Sequence, residues 1–291
     1  MSEPTVSVII IVFNGAAFLR EAIDSVLAQT FDDYELLVVD DGSTDDTLAI
    51  AEHAQGENPD RIRVLRHAGG VNRGMSATRN LGIAHARGEF IAFLDADDVW
   101  LPQKLAEQVA IMRADPAAAL VYGRALIWRS WQTRSEADDF YYDLGVEPGR
   151  VHEPPQLFLR QLRNIDQTPT TSGSLLRRSL IEAVGGFEPV FQAMFEDQVF
   201  FSKALLSHAA YVSDATWFKY RQHDSSASAR SEAAGADERS RIRYLQWLTG
   251  YLESQPGRAN ELRAVRSTLR DARLSHFTLS VRRALRRLRR G

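Results

Sequence analysis

The chain has no cysteine, which excludes disulfides, thiolate metal sites and cysteine nucleophiles and allows a reducing compartment without proving one. It also lacks a long apolar run. The longest early one, Val8 to Phe13, falls far short of the ~20 residues a membrane-spanning helix needs. The opening Met1-Ser2-Glu3-Pro4 has no basic segment of the kind that begins a secretory signal. The expectation is a cytoplasmic chain that neither spans a membrane nor is secreted. Three common signatures are missing too: G-x-x-x-x-G-K before Ser or Thr, a G-x-G-x-x-G opening a helix after the first strand, and G-x-S-x-G. P-loop, dinucleotide and serine-hydrolase readings therefore lose support. No internal repeat is visible.

At 291 residues, 44% apolar and 25% charged, the sequence is that of an ordinary soluble globular chain, large enough for one elaborated domain or two. Its formal charge of −3 is unevenly spread, since residues 231–291 hold 14 arginines against 6 acidic residues. Near the end, Val281, Ala284, Leu285 and Leu288 recur at helical spacing among six arginines, the pattern of a basic amphipathic helix. Three readings stand, in descending order: a solvated helix packed on the body, a surface anchor to anionic lipid, and a nucleic-acid contact. No nucleic acid is expected as a partner.

The first hundred residues alternate strand and helix with short connections, the pattern of an α/β fold with a mostly parallel central sheet flanked by helices. Strands are predicted over 6–13, 36–39, 62–65 and 90–94, with helices opening at Gly15, near Thr44 and over 76–86. Their four strand ends converge on one edge. Beyond Trp100 the pattern predicts a helix over 102–113, short strands over 120–122, 174–176 and 216–220, and a helix over 198–206. Residues 129–150 mix Trp131, Phe140, Tyr141 and Tyr142 with charges and Gly-Pro signals, which suits a mobile loop over a site. The stretch 223–240, rich in Ser, Ala, Gly, Asp and Glu, reads as a linker to a basic helical C-terminal extension.

The most informative stretch runs from Phe90 to Trp100, where an apolar strand ends in Asp95, Asp97 and Asp98. Ligands of open α/β sheets sit beyond the carboxyl ends of the strands. A D-x-D there can hold a hard divalent cation that bridges nucleotide phosphates. Taken alone, such a run is more often an acidic solvated turn. It does not stand alone. Phe13-Asn14-Gly15, Asp40-Asp41-Gly42-Ser43, the run Asn72 to Gly82, Asp95-Ala96-Asp97-Asp98, Gly185-Gly186-Phe187-Glu188, Phe195-Glu196-Asp197 and Tyr220-Arg221-Gln222-His223 follow in order.

This series, over roughly residues 5 to 225, resembles the large inverting glycosyltransferase group called family 2, whose nucleotide-sugar domain has the GT-A fold. The resemblance implies a first half, 1–100, that binds the nucleotide sugar, a second half, 101–225, that binds the acceptor, and the extension 226–291. It implies Asp97 as metal ligand for Mn²⁺ or Mg²⁺, with Asp95 and Ala96 lining the ribose and metal shell. It also implies Asp40 on the base, with Asp41 on the ribose or nearby backbone. Phe13 and Asn14 stand where similar enzymes often have Tyr-Asn, so stacking is kept and a hydroxyl is lost. Asp197 is implied as the base that takes the acceptor proton, with Glu196 orienting it or sharing the proton. His223 is implied as a metal or diphosphate ligand, with Arg221 steadying the phosphates. Arg79 stays open between a base or phosphate contact and a helix-surface arginine. No second histidine lies four residues from His223, which argues against zinc.

The expectation is a metal-dependent transfer of a single sugar, from a UDP-sugar first of all, to an acceptor hydroxyl of a glycan or lipid-linked molecule in cell-envelope or surface polysaccharide biosynthesis. The Gln-x-x-Arg-Trp motif of the processive synthases is missing. A nucleotidyltransferase and a catalytically inactive binding module are the alternatives. The basic tail suggests work at the inner face of a membrane.

Overall fold

The computed structural model describes residues 3–192, 194–226, 229 and 237–288, with side chains described up to 276 in the last helix. Its first part runs β1 (Val6–Val12), α1 (Leu19–Leu27), β2 (Tyr34–Asp40), α2 (Thr47–Glu57), β3 (Ile62–Arg66), α3 (Met75–His85) and β4 (Phe90–Asp95). There follow β5 (Val99–Trp100), α4 (Lys104–Ala114), β6 (Leu120–Trp128), α5 (Ser130–Thr133), β7 (Arg150–His152) and α6 (Gln156–Gln161). Then come β8 (Leu175–Arg177), α7 (Arg178–Val184), α8 (Glu196–Ser207) and β9 (Ala210–Arg221), and two C-terminal helices, Asp237–Glu253 and Ala259–Leu288.

The strands form one mixed sheet in the order β3-β2-β1-β4-β8-β6-β9-β5, with β7 on β9. The first four are parallel. β1 and β2 are buried along their whole length, as expected of strands covered on both faces. Register then places the site: Val12 lies opposite Asp40 and Ile11 opposite Asp95, so three strand ends finish side by side. β8 enters antiparallel between β4 and β6, opening a crevice at the switch in strand direction.

Several expectations change in the second half. β6 extends to Trp128, well beyond 120–122, because its outer part pairs in parallel with a β9 that starts at Ala210. The register shifts at Gly123, where an added Cβ would collide with the Ala215 carbonyl. Residues 129–150, expected as a mobile loop, form a wall that is fastened at several points. The Asp139 carboxylate accepts from the Arg129 and Ser130 N–H groups and from Ser130 Oγ, Phe140 bridges to Ile127, and Trp131 Nε1 donates to the Gln222 carbonyl at 2.9 Å.

Of the expected linker, residues 227, 228 and 230–236 lie outside the described residues. The helix Asp237–Glu253 begins inside that stretch and puts Tyr244, Leu245, Leu248 and Leu252 into one core with Phe200 and Phe201 of α8, so it buttresses the body. The backbone of the last helix continues to Leu288, but the side chains of the expected basic amphipathic face, 281–290, lie outside the described residues. No described helix is long and apolar enough to cross a membrane.

At the opposite end of the parallel strands, the buried Glu35 carboxylate accepts from Ser7 Oγ at 2.7 Å, from the Arg87 N–H and guanidinium, and from Arg63. Burial raises its pKa, but these donors outweigh it and the net shift is downward. A lowered folded-state pKa contributes stability above the ordinary value of 4.5 that is lost as pH falls below it. Glu35→Gln should destabilise the fold by about 2 kcal/mol at neutral pH, with the gap to the parent closing in acid; urea denaturation at pH 7 and pH 4 measures both.

Candidate active site

The strand ends open into a cleft of about 880 Å³ lined by Phe13, Asn14, Asp41, Asp95, Ala96, Asp97, Asp98, Glu196, Asp197 and His223. At the end of the cleft formed by β1 and β2, Asn14 takes a positive φ of 51°, a conformation Asn tolerates better than most residues. Its Oδ1 accepts from the Thr44 N–H at 2.8 Å and its own N–H donates to Ser43 Oγ, tying the end of β1 to the turn after β2. Phe13 stands half exposed beside it. Of the next two candidates, only Asp41 faces the cleft. Asp40 has no exposed surface, and its carboxylate accepts from the Gly42 and Ser43 N–H groups and from Arg66 Nε. This differs from the expected contact with a base. Asp41 accepts from the N–H groups of Arg73 and Gly74 at 2.7 and 2.9 Å, holding the loop that leads into α3.

Arg79 resolves to neither of its two readings. It is 1% exposed, and its guanidinium reaches Asp95 Oδ1 with Nη2 and Glu196 Oε1 with Nη1, both at 2.8 Å. The other Asp95 oxygen accepts from Thr171 Oγ1 at 2.9 Å, and the Asp95 N–H donates to Ser172 Oγ. Both oxygens of Asp95 are thus hydrogen-bonded within the protein, although the residue still lines the cleft together with Asp97. Thr171 and Ser172 carry no recognisable motif in the sequence, and only the fold brings them here.

Glu196 and Asp197 open α8. Burial pushes the Glu196 carboxyl up to about 7 against the opposing charge of Arg79, with the neighbouring Asp197 adding to the rise. Burial likewise raises Asp197, and Arg79 opposes it. Before them, Phe195 adopts φ 68°, a strained conformation for a bulky residue, and stacks on Tyr244 with ring centroids 5.5 Å apart. Tyr244 in turn exchanges a 2.7 Å hydrogen bond with Ser202, so the first C-terminal helix braces the start of α8.

On the facing side, Asp97 Oδ2 and His223 Nε2 are 3.0 Å apart. The histidine is held by Ser225 Oγ at Nδ1 and by the ring of Phe18, 4.7 Å away. Arg221 differs from the expected phosphate contact: its Nε donates to the Asp97 carbonyl, its Nη2 pairs with Glu21, and its guanidinium lies over Phe18, Trp128 and Trp131. It is a strut beneath the site. Asp98 is buried and accepts from the Arg221 N–H at 3.0 Å, and burial together with Asp97 and Asp95 drives its pKa well up. Among the described residues no cluster of three or more His, Asp or Glu side chains gathers at metal-binding distance. The Asp97–His223 pair nevertheless offers one oxygen and one nitrogen donor, which suits a cation whose remaining positions go to phosphate and water.

A cleft at the strand switch point, with acids on two facing walls, fits the expectation raised by the sequence. Residues 7–185 match the family model described as glycosyl transferase family 2. The chain belongs to that family. An uncharacterized glycosyltransferase of Nostoc sp. is 34% identical over 233 residues, covering 78% of this chain and 69% of that protein. Another, from Rickettsia typhi, is 30% identical over 224 residues, covering 76% and 65%. The chain thus spans about two thirds of the length of these relatives. Among solved structures, Staphylococcus aureus TarS 1–349 in complex with UDP-GlcNAc has a TM-score of 0.69 at 19% identity, over 94% of this chain and 73% of that one. The Pyrobaculum calidifontis mannosyltransferase PcManGT, in complex with GDP-Man and Mn²⁺, has a TM-score of 0.59 at 20% identity, over 98% and 81%. The fold is GT-A, and this family 2 protein is a glycosyltransferase, which displaces the nucleotidyltransferase alternative.

If Arg79 locks Asp95 to Glu196, the two sites must be energetically coupled. A double-mutant cycle of Arg79→Lys and Glu196→Gln, read by chemical denaturation, should give a coupling energy of about 2 kcal/mol; additive losses would show that the pair acts independently.

Proposed function

We propose that this family 2 enzyme is a metal-dependent, inverting transferase that moves one sugar from a nucleoside-diphosphate sugar to an acceptor hydroxyl. The observation that carries this reading is the joining, through Arg79, of the Asp95 strand end to the Glu196-Asp197 turn, with the Asp97–His223 pair in the same cleft. Solved relatives of the fold hold UDP-GlcNAc, or GDP-Man with Mn²⁺, which supports a nucleotide-sugar donor here, with a uridine donor as first choice.

On this reading Asp97 and His223 would hold Mn²⁺ or Mg²⁺, which, when bound, offsets the negative charge that gathers on the leaving diphosphate. Phe13 and Asp41 bound the nucleotide end of the cleft. Asp197 takes the proton of the acceptor hydroxyl as the new carbon–oxygen bond forms. The bond from the sugar carbon to the phosphate oxygen breaks on the opposite face, and its electron pair leaves with the nucleoside diphosphate. One such displacement inverts the anomeric centre. A base made more basic by burial suits the removal of an alcohol proton. The acceptor class follows from the arginine-rich C-terminal region, which favours a lipid-linked or cell-surface glycan met at an anionic membrane face.

Thermal unfolding with UDP, GDP, dTDP and CDP, each with and without Mn²⁺, tests the donor and the metal together. One nucleotide at about 100 times its Kd should stabilise the protein by about 2.7 kcal/mol, and Asp97→Ala should abolish the metal-dependent part. No shift with any nucleotide would overturn the reading. Asp197→Asn should keep the shift and lose about 10²- to 10⁴-fold in nucleoside-diphosphate release from the donor.

With the paired carboxyls raised, the release rate should fall as pH drops through their titration, near 7 for Glu196, because protonation removes the base. A profile flat from pH 8 to pH 5 would exclude this pair from proton removal.

A further inference from the structure

Away from the cleft, Arg263, Arg266, Arg270 and Arg273 follow one another at spacings of three, four and three residues, which forms one stripe along a helix. All four are exposed. They line a groove of about 750 Å³ between the two C-terminal helices, and Leu262 and Leu269 lie in the same groove. Arg266 pairs with Glu253 at 2.6 Å. The other three have no carboxylate partner among the described residues. Over 259–276 the sequence holds only two acids, Glu261 and Asp271, against these four arginines, and Glu261 is largely buried beside Arg258. Leu274, 65% exposed, adjoins the stripe on the helical wheel.

A solvated helix in a chain of net charge −3 does not need three unmatched arginines in one line, so charge complementarity asks for a polyanion. The aliphatic groove and Leu274 narrow the choice. Guanidinium groups above apolar surface match the boundary between phospholipid headgroups and acyl chains, where arginine stems lie in the apolar layer and their heads meet phosphate. A nucleic-acid backbone would use the charge alone.

We propose that this arginine-lined groove docks the enzyme on a membrane surface by binding anionic phospholipid headgroups. The proposal deepens the reading above, in which the acceptor is met at a membrane, and locates the contact on the stripe 263–273. The test is flotation of the full chain with vesicles of phosphatidylglycerol in phosphatidylcholine, against phosphatidylcholine alone. The parent should bind only the anionic vesicles, and binding should weaken as salt rises. The combined variant Arg263→Gln, Arg270→Gln, Arg273→Gln should bind on the order of 100-fold more weakly.

A second variant, with Arg282, Arg283, Arg286 and Arg287 changed to Gln, should keep binding that still depends on the stripe. Equal partition of parent and stripe variant, equal binding to neutral vesicles, loss of all binding in the second variant, or tighter binding to an oligonucleotide would each overturn the proposal. Nucleotide-induced thermal stabilisation, measured on the same samples, separates the two readings. A persisting shift without vesicle binding defeats the docking surface alone, and vesicle binding without any shift defeats the donor assignment alone.

Discussion

The site depends on one buried cation. Arg79 sits in the middle of α3 with its guanidinium out of water, one arm on the carboxylate that ends β4 and the other on the first residue of α8, 117 positions further along. A planar fork with fixed donor directions sets the distance between its two partners in a way a flexible ammonium would not. Removing it would leave two carboxylates in a poorly solvated space, and the loss of one partner of a buried pair is costly. Burial, with Asp197 beside it, raises the Glu196 carboxyl against the attraction of Arg79. The geometric consequence of the ion pair is that the parallel half of the sheet is tied to the helix bearing Asp197.

The same economy recurs on the facing wall. Arg221 is surrounded by Phe18, Trp128 and Trp131 and paired to Glu21, so aromatic faces and one acid hold the charge that anchors the Asp97 carbonyl from below. Trp131 also holds the Gln222 carbonyl, which makes the wall after β6 part of the support for His223. The strained backbone of Phe195 is kept in place by stacking on Tyr244. A residue of the C-terminal region thereby supports the start of α8.

What the sequence made legible follows from which forces are local. Continuous apolar runs identified β1, β2 and β4 because a strand buried on both faces needs little context, and the acids after them marked the edge where ligands bind. β6 is longer than its apolar run suggests because Gly123-Arg124 interrupts that run, and its continuation is stabilised by β9, some ninety residues away. Asp40 and Asp41 are adjacent and chemically identical, so only the turn geometry decides which one faces the cleft. Arg79 and Arg221 were visible as arginines near motifs, but a guanidinium serves a phosphate and a carboxylate equally well. The distinction lies in distant acids that no local pattern reveals.

Charge gives the last step. Asp41, Asp95, Asp97, Asp98, Glu196 and Asp197 all line the cleft, and among the described residues no lysine or arginine does. Arg79 and Arg221 are spent behind the surface on internal partners. A diphosphate entering such a cleft meets carboxylates, and at short range in a partly desolvated space that repulsion is substantial. On the proposed reading positive charge arrives with the ligand, and Asp97 beside His223 would receive it. Burial first, and then its acidic neighbours Asp97 and Asp95, drive the pKa of Asp98 well up. On the proposed reading, a divalent ion relieves the repulsion among the acids and that between the acids and the donor at once. Donor affinity and metal affinity should then be strongly coupled, each ligand binding poorly alone and well together.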